Sequence, residues 1–325
     1  MEISDERRKS QYYKLQRRRC KKRRIKEKRK EEYFRKQKEE RERLKEGLRK
    51  ELEDEQKSEA RNQSTKHNKE PEDDKKKGTQ EPNYIKQVKT TSLVKLGKFV
   101  GTGTFGTCQL ASYRGMTVVI KEFKTTTTEK EVMAEAMTIH NLGDHPGLPL
   151  LYGVQTSTSP YSLILQFHNI NGKSMTLSKA VKAASMKNID WLGVIEKIGV
   201  ALKYIHEKGY LHNDFKANNV VLEENHNPVI IDFGKSSAIG EKRKSKKLSK
   251  EEQLSYTQKY PHIAPEIVDG SGVRSIESDV YSFAKLITFI TKHAKVELSS
   301  ERSWYIDTAL SKNPKMRPAI RDIIN

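Results

Sequence analysis

The chain has 325 residues and a formal net charge of +20, a length that allows one large domain or two smaller ones and a charge that indicates acidic partners. Its two cysteines, Cys20 and Cys108, lie far apart, so neither a disulfide framework nor a zinc site is predicted, and a reducing compartment fits. Because no apolar run is long enough to cross a membrane and the charged N-terminus lacks the apolar core of a signal peptide, we expect a soluble protein of the cytoplasm or nucleus.

Residues 1–60 are predicted to form a basic arm that is either disordered or a single helix. From Glu6 to Glu59 most residues are Lys, Arg, Glu or Gln, which favour helix, and no proline interrupts them. The sparse apolar residues sustain no heptad, although the leucines at 44, 48 and 52 share one helical face that could bind a partner. The basic run at 17–26 suits a nuclear-import signal or a phosphate-binding patch for nucleic acid or anionic lipid, and equally a solvated charged helix.

The stretch at 61–92 is predicted to be a flexible linker. Up to residue 83 it is rich in Asn, Gln, Ser, Thr and charged residues, contains Pro71, Gly78 and Pro82, and has almost no apolar side chains. We therefore expect the arm to be independent of the folded domain at 93–325.

A glycine-rich turn between two strands opens that domain. The segment from Leu96 to Leu110 predicts strand, turn and strand, with the residues Gly-Thr-Gly-Thr-Phe-Gly at 101–106 in the turn. Glycines let a backbone come close to phosphate groups, and Phe105 at the tip can shield those groups from water. The pattern alone is a weak signal, but the extended stretch that follows argues against a dinucleotide-binding loop, after which a helix would begin.

A lysine and two glutamates follow on a predicted strand and helix. Residues 118–121, Val-Val-Ile-Lys, predict a buried strand that ends at Lys121, a position where a lysine is usually only solvent-exposed. The segment from 129 to 142 has helical periodicity and carries Glu131 and Glu135. An apolar strand at 161–167 then leads into the polar residues 168–172, which we interpret as a hinge between two lobes.

Two later segments predict long helices. The first runs from 190 to 208, with apolar residues recurring at three and four and Gly209 as its stop signal. The second runs from 279 to 293 and is apolar around much of its circumference, so we expect it to be buried.

Between these helices, a small hairpin is predicted from two β-branched runs at 220–222 and 229–231. Asp214, Lys216 and Asn219 precede its first strand and Asp232 follows its second, so folding brings all four side chains to one end. One carboxylate and the amide can ligate Mg²⁺ through oxygen. The second carboxylate can orient a hydroxyl and accept its proton, and the lysine can neutralise charge on a transferring phosphoryl group.

On these residues the chain resembles the eukaryotic protein kinase family over about 93–325. Residues 212–219, His-Asn-Asp-Phe-Lys-Ala-Asn-Asn, match that family's His-Arg-Asp-x-Lys-x-x-Asn loop except at the arginine, and Asp-Phe-Gly at 232–234 matches its metal-binding triplet. The glycine loop, the strand lysine, an Ala-Pro-Glu at 264–266 and Arg317 also occur in the family's order. The resemblance implies an α+β bilobal fold, with a small β-rich lobe at about 93–168 containing one key helix, and a larger, mainly helical lobe at about 169–325.

The resemblance also implies ATP and Mg²⁺ as cofactors, a protein substrate and a role for each motif. Asp214 and Lys216 would be catalytic, and Asn219 and Asp232 would hold the metal. Glu135, rather than Glu131 one turn earlier, would position the strand lysine on the phosphates. The residues implied to bind ATP are Gly101, Thr102, Gly103, Thr104, Phe105, Gly106, Cys108, Val119, Lys121, Glu135, Leu165, Gln166 and His168.

Within this set, the adenine pocket departs from the family at two positions. Cys108 replaces a valine under the adenine and could be reachable by electrophiles, and Val119 replaces an alanine and narrows the slot. Leu165 would lie at the back of the pocket, and backbone groups near Gln166 and His168 would bond adenine.

Three further residues are implied to be structural. Asp279 would tie down the catalytic loop, and Glu266 would form a buried ion pair with Arg317.

Regulation and specificity are less closely implied. Asn213 replaces the arginine that meets an activation-loop phosphate, which suggests activity without loop phosphorylation. Lys216 resembles Ser/Thr kinases, whereas Lys-Tyr-Pro at 259–261 resembles tyrosine kinases, so Ser/Thr specificity is favoured and tyrosine or dual specificity stays open. A basic insert at 242–247 could attract acidic substrates. The alternatives are a pseudokinase scaffold and a nucleic-acid-associated protein recruited by the arm.

Overall fold

The computed structural model describes residues 85–103, 106–183, 186, 189–241 and 248–325, together with five positions of the arm, Glu32, Arg35, Glu39, Glu42 and Glu46. The chain divides into two units, Met1–Gln80 and Glu81–Asn325. In the first unit the five described positions are helical, and Arg35 Nε lies 3.7 Å from Glu39 Oε1 at i, i+4 spacing. The basic run at 17–26, the linker up to residue 84, Thr104, Phe105 and the insert at 242–247 lie outside the described residues.

In the second unit, the small lobe is a five-stranded antiparallel sheet with one helix packed on it. The strands are β1 (Leu93–Thr102), β2 (Gly106–Tyr113), β3 (Met116–Phe123), β4 (Leu151–Gln155) and β5 (Ser162–Gln166), in the order β1-β2-β3-β5-β4. The helix is α1 (Glu129–Leu142), which has the predicted bounds. Val132, Ala136 and Ile139 recur at helical spacing and are buried in the core, so the apolar face of α1 is the face that packs.

Residues 85–92, which the sequence assigns to the end of the flexible linker, pack against the small lobe. Ile85 and Val88 are buried, and the backbone N–H of Val88 donates to the carbonyl of Val154 over 2.7 Å. The N–H of Val154 in turn donates to the carbonyl of Lys86 over 2.8 Å. The ordered domain therefore begins before the predicted boundary at 93, because two apolar side chains three residues apart find places in the core.

The larger lobe is mainly helical. Its described helices are α2 (Leu177–Ala180), α3 (Trp191–Glu207), α4 (Lys250–Lys259), α5 (Pro265–Val268), α6 (Ile276–Ala294), α7 (Ser300–Ala309) and α8 (Ile320–Ile324). Its short strands are β6 (Met175–Thr176), β7 (Tyr210–Leu211), β8 (Val220–Leu222), β9 (Pro228–Ile230) and β10 (Ser237–Ala238), which form the sheets β6-β8-β9 and β10-β7. This arrangement confirms the predicted α+β bilobal fold.

The two long helices, α3 and α6, supply much of the large lobe's core. Asp190 caps α3 by accepting a hydrogen bond from the N–H of Gly193 over 3.0 Å, which places the helix start where it was predicted. Helix α6 begins three residues earlier than predicted, because Ser275 caps it in a reciprocal pair with Ser278. Within the described part of the chain, no helix combines the length and the apolar character that crossing a membrane requires.

Candidate active site

The predicted hairpin forms and holds the polar loops together. Val220 of β8 pairs with Ile230 of β9, and the N–H of Ile231 donates to the carbonyl of Asn219 over 2.9 Å. Asn219 and Asp232 therefore leave the hairpin at the same end, as the sequence predicts.

A buried carboxylate on α6 fixes the backbone of the loop that carries Asp214. Asp279 accepts hydrogen bonds from the N–H groups of His212 over 2.8 Å and Asn213 over 3.0 Å, and from His206 Nε2 over 3.0 Å. Burial alone would raise the pKa of Asp279, but these hydrogen bonds and the nearby histidines bring it below its usual value. The predicted tie between Asp279 and the loop is confirmed.

The Asp214 carboxylate is surrounded by donors and is itself nearly buried. Lys216 Nζ lies 2.8 Å and Asn219 Nδ2 lies 3.3 Å from Oδ2, while His262 Nε2 lies 3.0 Å and Lys235 Nζ lies 3.2 Å from Oδ1. Burial raises the pKa of Asp214, but the hydrogen bonds from His262 and Lys216 and the charge of Lys235 outweigh it and hold the pKa well below its ordinary value. Asp214 is therefore ionised at neutral pH and can accept a hydrogen bond from a hydroxyl.

On the small-lobe side, Lys121 joins two carboxylates. Its Nζ lies 2.7 and 2.8 Å from the two carboxylate oxygens of Glu135 and 2.7 Å from Asp232 Oδ1. Burial would lower the pKa of Lys121, but Glu135 and Asp232 raise it above its usual value, so the ammonium stays charged. Burial raises the pKa of Glu135, and the neighbouring negative charge of Asp232 adds to the rise, although Lys121 lowers it in part.

Glu131, the other candidate partner of Lys121, caps helix α1 instead. Its side chain accepts a hydrogen bond from the N–H of Thr128 over 2.8 Å and completes the capping box of α1. The structure therefore brings Glu135, and not Glu131, to the strand lysine.

The glycines of the loop have unequal roles. A Cβ at Gly106 would lie 1.9 Å from the backbone carbonyl oxygen of Glu122, so strand β3 itself requires this glycine. Among the described residues, no atom lies within 4 Å of a Cβ placed on Gly101 or Gly103, so a ligand could approach the backbone there. Phosphate binding by Gly101, Thr102, Gly103 and Gly106 stays a prediction, and Gly106 has in addition this packing requirement.

Cys108 lies on β2 opposite Lys121. Burial raises the pKa of its thiol to about 11, although the charge of Lys121 lowers it in part. The thiolate, which is the form that attacks electrophiles, is therefore scarce at neutral pH, so the expectation that Cys108 is open to electrophiles is weakened.

The predicted hinge follows β5. Leu165 is partly buried and pairs with Val119 of β3, so these two residues lie side by side in the sheet. The N–H of Gln166 donates to the carbonyl of Leu150 over 3.0 Å, and His168 Nδ1 lies 2.7 Å from Glu223 Oε1. Nδ1 of His168 is thus engaged by the large lobe, whereas its buried Nε2 has no hydrogen-bond partner among the described residues, and adenine binding near His168 stays a prediction.

The sequence reasoning missed several residues that complete the site. Lys235 and His262 both reach Asp214, and the amide of Asn213 donates to the carbonyl of Lys235 over 3.0 Å and to Ser237 Oγ over 2.8 Å. The partners in these contacts are 21 to 48 residues apart along the chain, and no local sequence pattern indicates them. The Glu266 pair with Arg317 was predicted and is confirmed, with two contacts of 2.7 Å.

Comparison with known proteins agrees with this geometry. Serine/threonine-protein kinase D of Synechocystis sp. is 30% identical over 235 residues, which cover 66% of this chain and 44% of that protein. A probable L-type lectin-domain containing receptor kinase S.5 of Arabidopsis thaliana is 30% identical over 204 residues, which cover 60% of this chain and 30% of that protein. The chain thus spans less than half the length of these two relatives. A family model described as protein tyrosine and serine/threonine kinase matches residues 94–324, and the chain belongs to that family.

Proposed function

We propose that this chain transfers the γ-phosphoryl group of ATP, with Mg²⁺, to serine or threonine hydroxyls of proteins. The observation that carries the proposal is the ionised Asp214, held by Lys216 and Asn219 in the same site as the Lys121 pair with Glu135. Asp214 would orient the hydroxyl and accept its proton, and Lys216 would stabilise the transferred group.

The donor atoms also suit magnesium. Asn219 directs its amide nitrogen to the Asp214 carbonyl over 2.9 Å, so the amide oxygen points the other way and is free to serve as a ligand. Asp232 supplies a carboxylate whose pKa is low, because the Lys121 charge overcomes the effect of burial. When bound, Mg²⁺ would neutralise charge on the phosphates, and the residues that would hold it are Asn219 and Asp232.

Serine/threonine specificity is supported by Lys216 and by the similarity to serine/threonine-protein kinase D of Synechocystis. The test is to incubate the full chain with radiolabelled ATP and a generic protein substrate, and to identify the labelled amino acid. We expect phosphoserine or phosphothreonine. Labelled tyrosine would overturn the specificity.

The matched variant is Asp214→Asn, which keeps the shape of the side chain and removes its charge. We expect it to lose most phosphotransfer while it still binds ATP. Undiminished activity would refute the role of Asp214, and ATP binding without any transfer by the wild type would favour the pseudokinase scaffold.

We propose further that activity does not require phosphorylation of the activation segment, which comprises the residues between Asp232 and Ala264. Asn213 adopts a left-handed backbone conformation, with φ of 66°, which asparagine tolerates better than most residues. Its neutral amide ties down the start of the segment through Lys235 and Ser237, a task that needs no phosphate.

The candidate phosphorylation sites of the segment allow a test. A variant with Ser249, Ser255 and Thr257 all changed to alanine should keep most of the wild-type rate. A large gain in rate after phosphorylation of any of the three in the wild type would contradict the proposal.

The arm would determine location. We propose that the protein resides in the cytoplasm or the nucleus, with the basic run at 17–26 as the import signal; nucleic-acid binding by the arm stays a prediction from its sequence. Imaging a fluorescent fusion with and without residues 1–60 tests the proposed location and import signal. Nucleic-acid binding by the arm would be supported by salt-dependent binding to RNA or DNA that is lost when residues 1–60 are deleted.

A further inference from the structure

His262 contacts the catalytic carboxylate from outside the catalytic loop. It lies two residues before Ala264, its side chain is 11% exposed, and its Nε2 is 3.0 Å from Oδ1 of Asp214. An ionised carboxylate can only accept hydrogen bonds, so Nε2 of His262 carries the proton and donates it. The contact joins residues that are 48 positions apart in the chain.

The backbone of His262 is itself held in place. Ser282 on α6 is buried, and its hydroxyl donates to the carbonyl of His262 over 2.7 Å. Asp279, one turn earlier on α6, holds the N–H groups of the loop that carries Asp214. One buried helix therefore positions both the catalytic loop and the segment that carries His262, which sets the distance between the histidine and the carboxylate.

The other donors to Asp214 are less constrained. The ammonium groups of Lys216 and Lys235 lie at the ends of flexible four-carbon side chains, which are 28% and 31% exposed. Lys235 Nζ also lies 5.9 Å from the centre of the Tyr260 ring, and the same ring meets His262 edge-on, with centroids 6.3 Å apart. On the Oδ1 side, His262 is thus the buried donor on a fixed backbone.

We infer that His262 is a positioning residue, which holds the Asp214 carboxylate in the rotamer that presents it to the substrate hydroxyl. This inference rests on the proposed function. Because Ser282 of α6 holds the backbone of His262, this contact couples the position of the activation segment on α6 to the orientation of the Asp214 carboxylate.

A series of substitutions at His262 separates the effect of its hydrogen bond to Asp214 from the effect of its side-chain size. His262→Gln places an amide N–H near the position of Nε2, His262→Asn has a donor that is too short to reach, and His262→Phe keeps a ring without a donor. In the full chain, we expect the Phe and Asn variants to lower kcat about 10-fold to 100-fold, the range for a lost hydrogen bond to a charged group or a displaced catalytic group. We expect the KM for ATP to stay nearly unchanged and the Gln variant to recover most of kcat.

Two controls guard against a general defect. Thermal unfolding and ATP binding of each variant report the fold, and His293→Phe, at an exposed position on α6, makes the same chemical change away from the site. Wild-type kcat in His262→Phe, or equal loss of kcat in the Gln and Phe variants, would overturn the inference.

Crystal structures of the wild type and of His262→Phe give a readout that needs no phosphotransfer. We expect the Asp214 carboxylate to leave its wild-type rotamer in the variant, and an unmoved carboxylate would overturn the inference. If the wild type transfers no phosphate although the carboxylate moves in the variant, the proposed function fails while the contact's positioning effect stands.

Discussion

Changing Glu135 to Gln tests the link between α1 and the proposed ATP site. The substitution keeps one oxygen acceptor and the size of the side chain but removes the buried negative charge that faces Lys121. Lys121 would still have Asp232 at 2.7 Å, so it would remain charged but would be drawn toward the large lobe. We expect a folded protein in which the lysine no longer meets the phosphates correctly.

The structure sets the expected magnitude. Lys121 now makes contacts of 2.7 and 2.8 Å to the two oxygens of Glu135, and both residues are at least nine-tenths buried. A hydrogen bond to a charged group contributes about 1.5–3 kcal/mol, and each 1.4 kcal/mol is about a factor of ten. We therefore expect kcat/KM for ATP to fall about 10-fold to 150-fold.

The control is Glu131→Gln, four residues earlier on the same helix. Glutamine can still complete a capping box, and Glu131 is exposed, so ATP affinity and kcat should stay near wild-type values. Steady-state phosphotransfer at varied ATP and calorimetric ATP binding measure both variants. The reasoning would be refuted if the two variants behaved alike, or if Glu131→Gln were the more damaging.

Other substitutions and one pH profile test separate parts of the site. Gly106→Ala should lower the free energy of unfolding by roughly 1–3 kcal/mol, because the added methyl group overpacks against β3. Gly103→Ala should leave the free energy of unfolding unchanged and weaken ATP binding. Equal unfolding curves for the two variants would contradict the distinction between these glycines. Alkylation of Cys108 should be slow at neutral pH and rise about tenfold per pH unit toward its pKa of about 11, and a plateau near pH 8.5 would contradict the raised value. Glu266→Ala should lower the free energy of unfolding in urea by roughly 3–5 kcal/mol, because it leaves the Arg317 guanidinium buried without its carboxylate, and a loss below 1 kcal/mol would show that the pair matters little.

Much of this site could be predicted because its residues are close together in sequence. Asp214, Lys216 and Asn219 lie within six positions, and the hairpin that brings Asp232 beside them is a short-range structure with its own pattern of β-branched residues and a polar turn. The bounds of α1 followed from helical periodicity in the same way, since a helix aligns its apolar side chains by local geometry alone.

Local sequence patterns could not distinguish between residues of the same type that lie on the same predicted element. Glu131 and Glu135 lie on the same helix, and residue spacing alone gave no reason to prefer either; packing of α1 on the sheet turns one toward Lys121 and leaves the other to cap the helix. The glycines were also indistinguishable in the sequence, because the need for Gly106 comes from a carbonyl on the neighbouring strand.

The sequence by itself determined the chemistry of this protein: which carboxylates, amides and ammonium groups it has, and that a hairpin gathers four of them. The tie between Asp279 and the loop was implied by the family resemblance, but only the tertiary structure decided that His262 and Lys235 hold the carboxylate of Asp214. The physical reason is that such contacts join residues dozens of positions apart, and their distances are set by the burial of α6 among other elements, a property that no short stretch of the chain encodes.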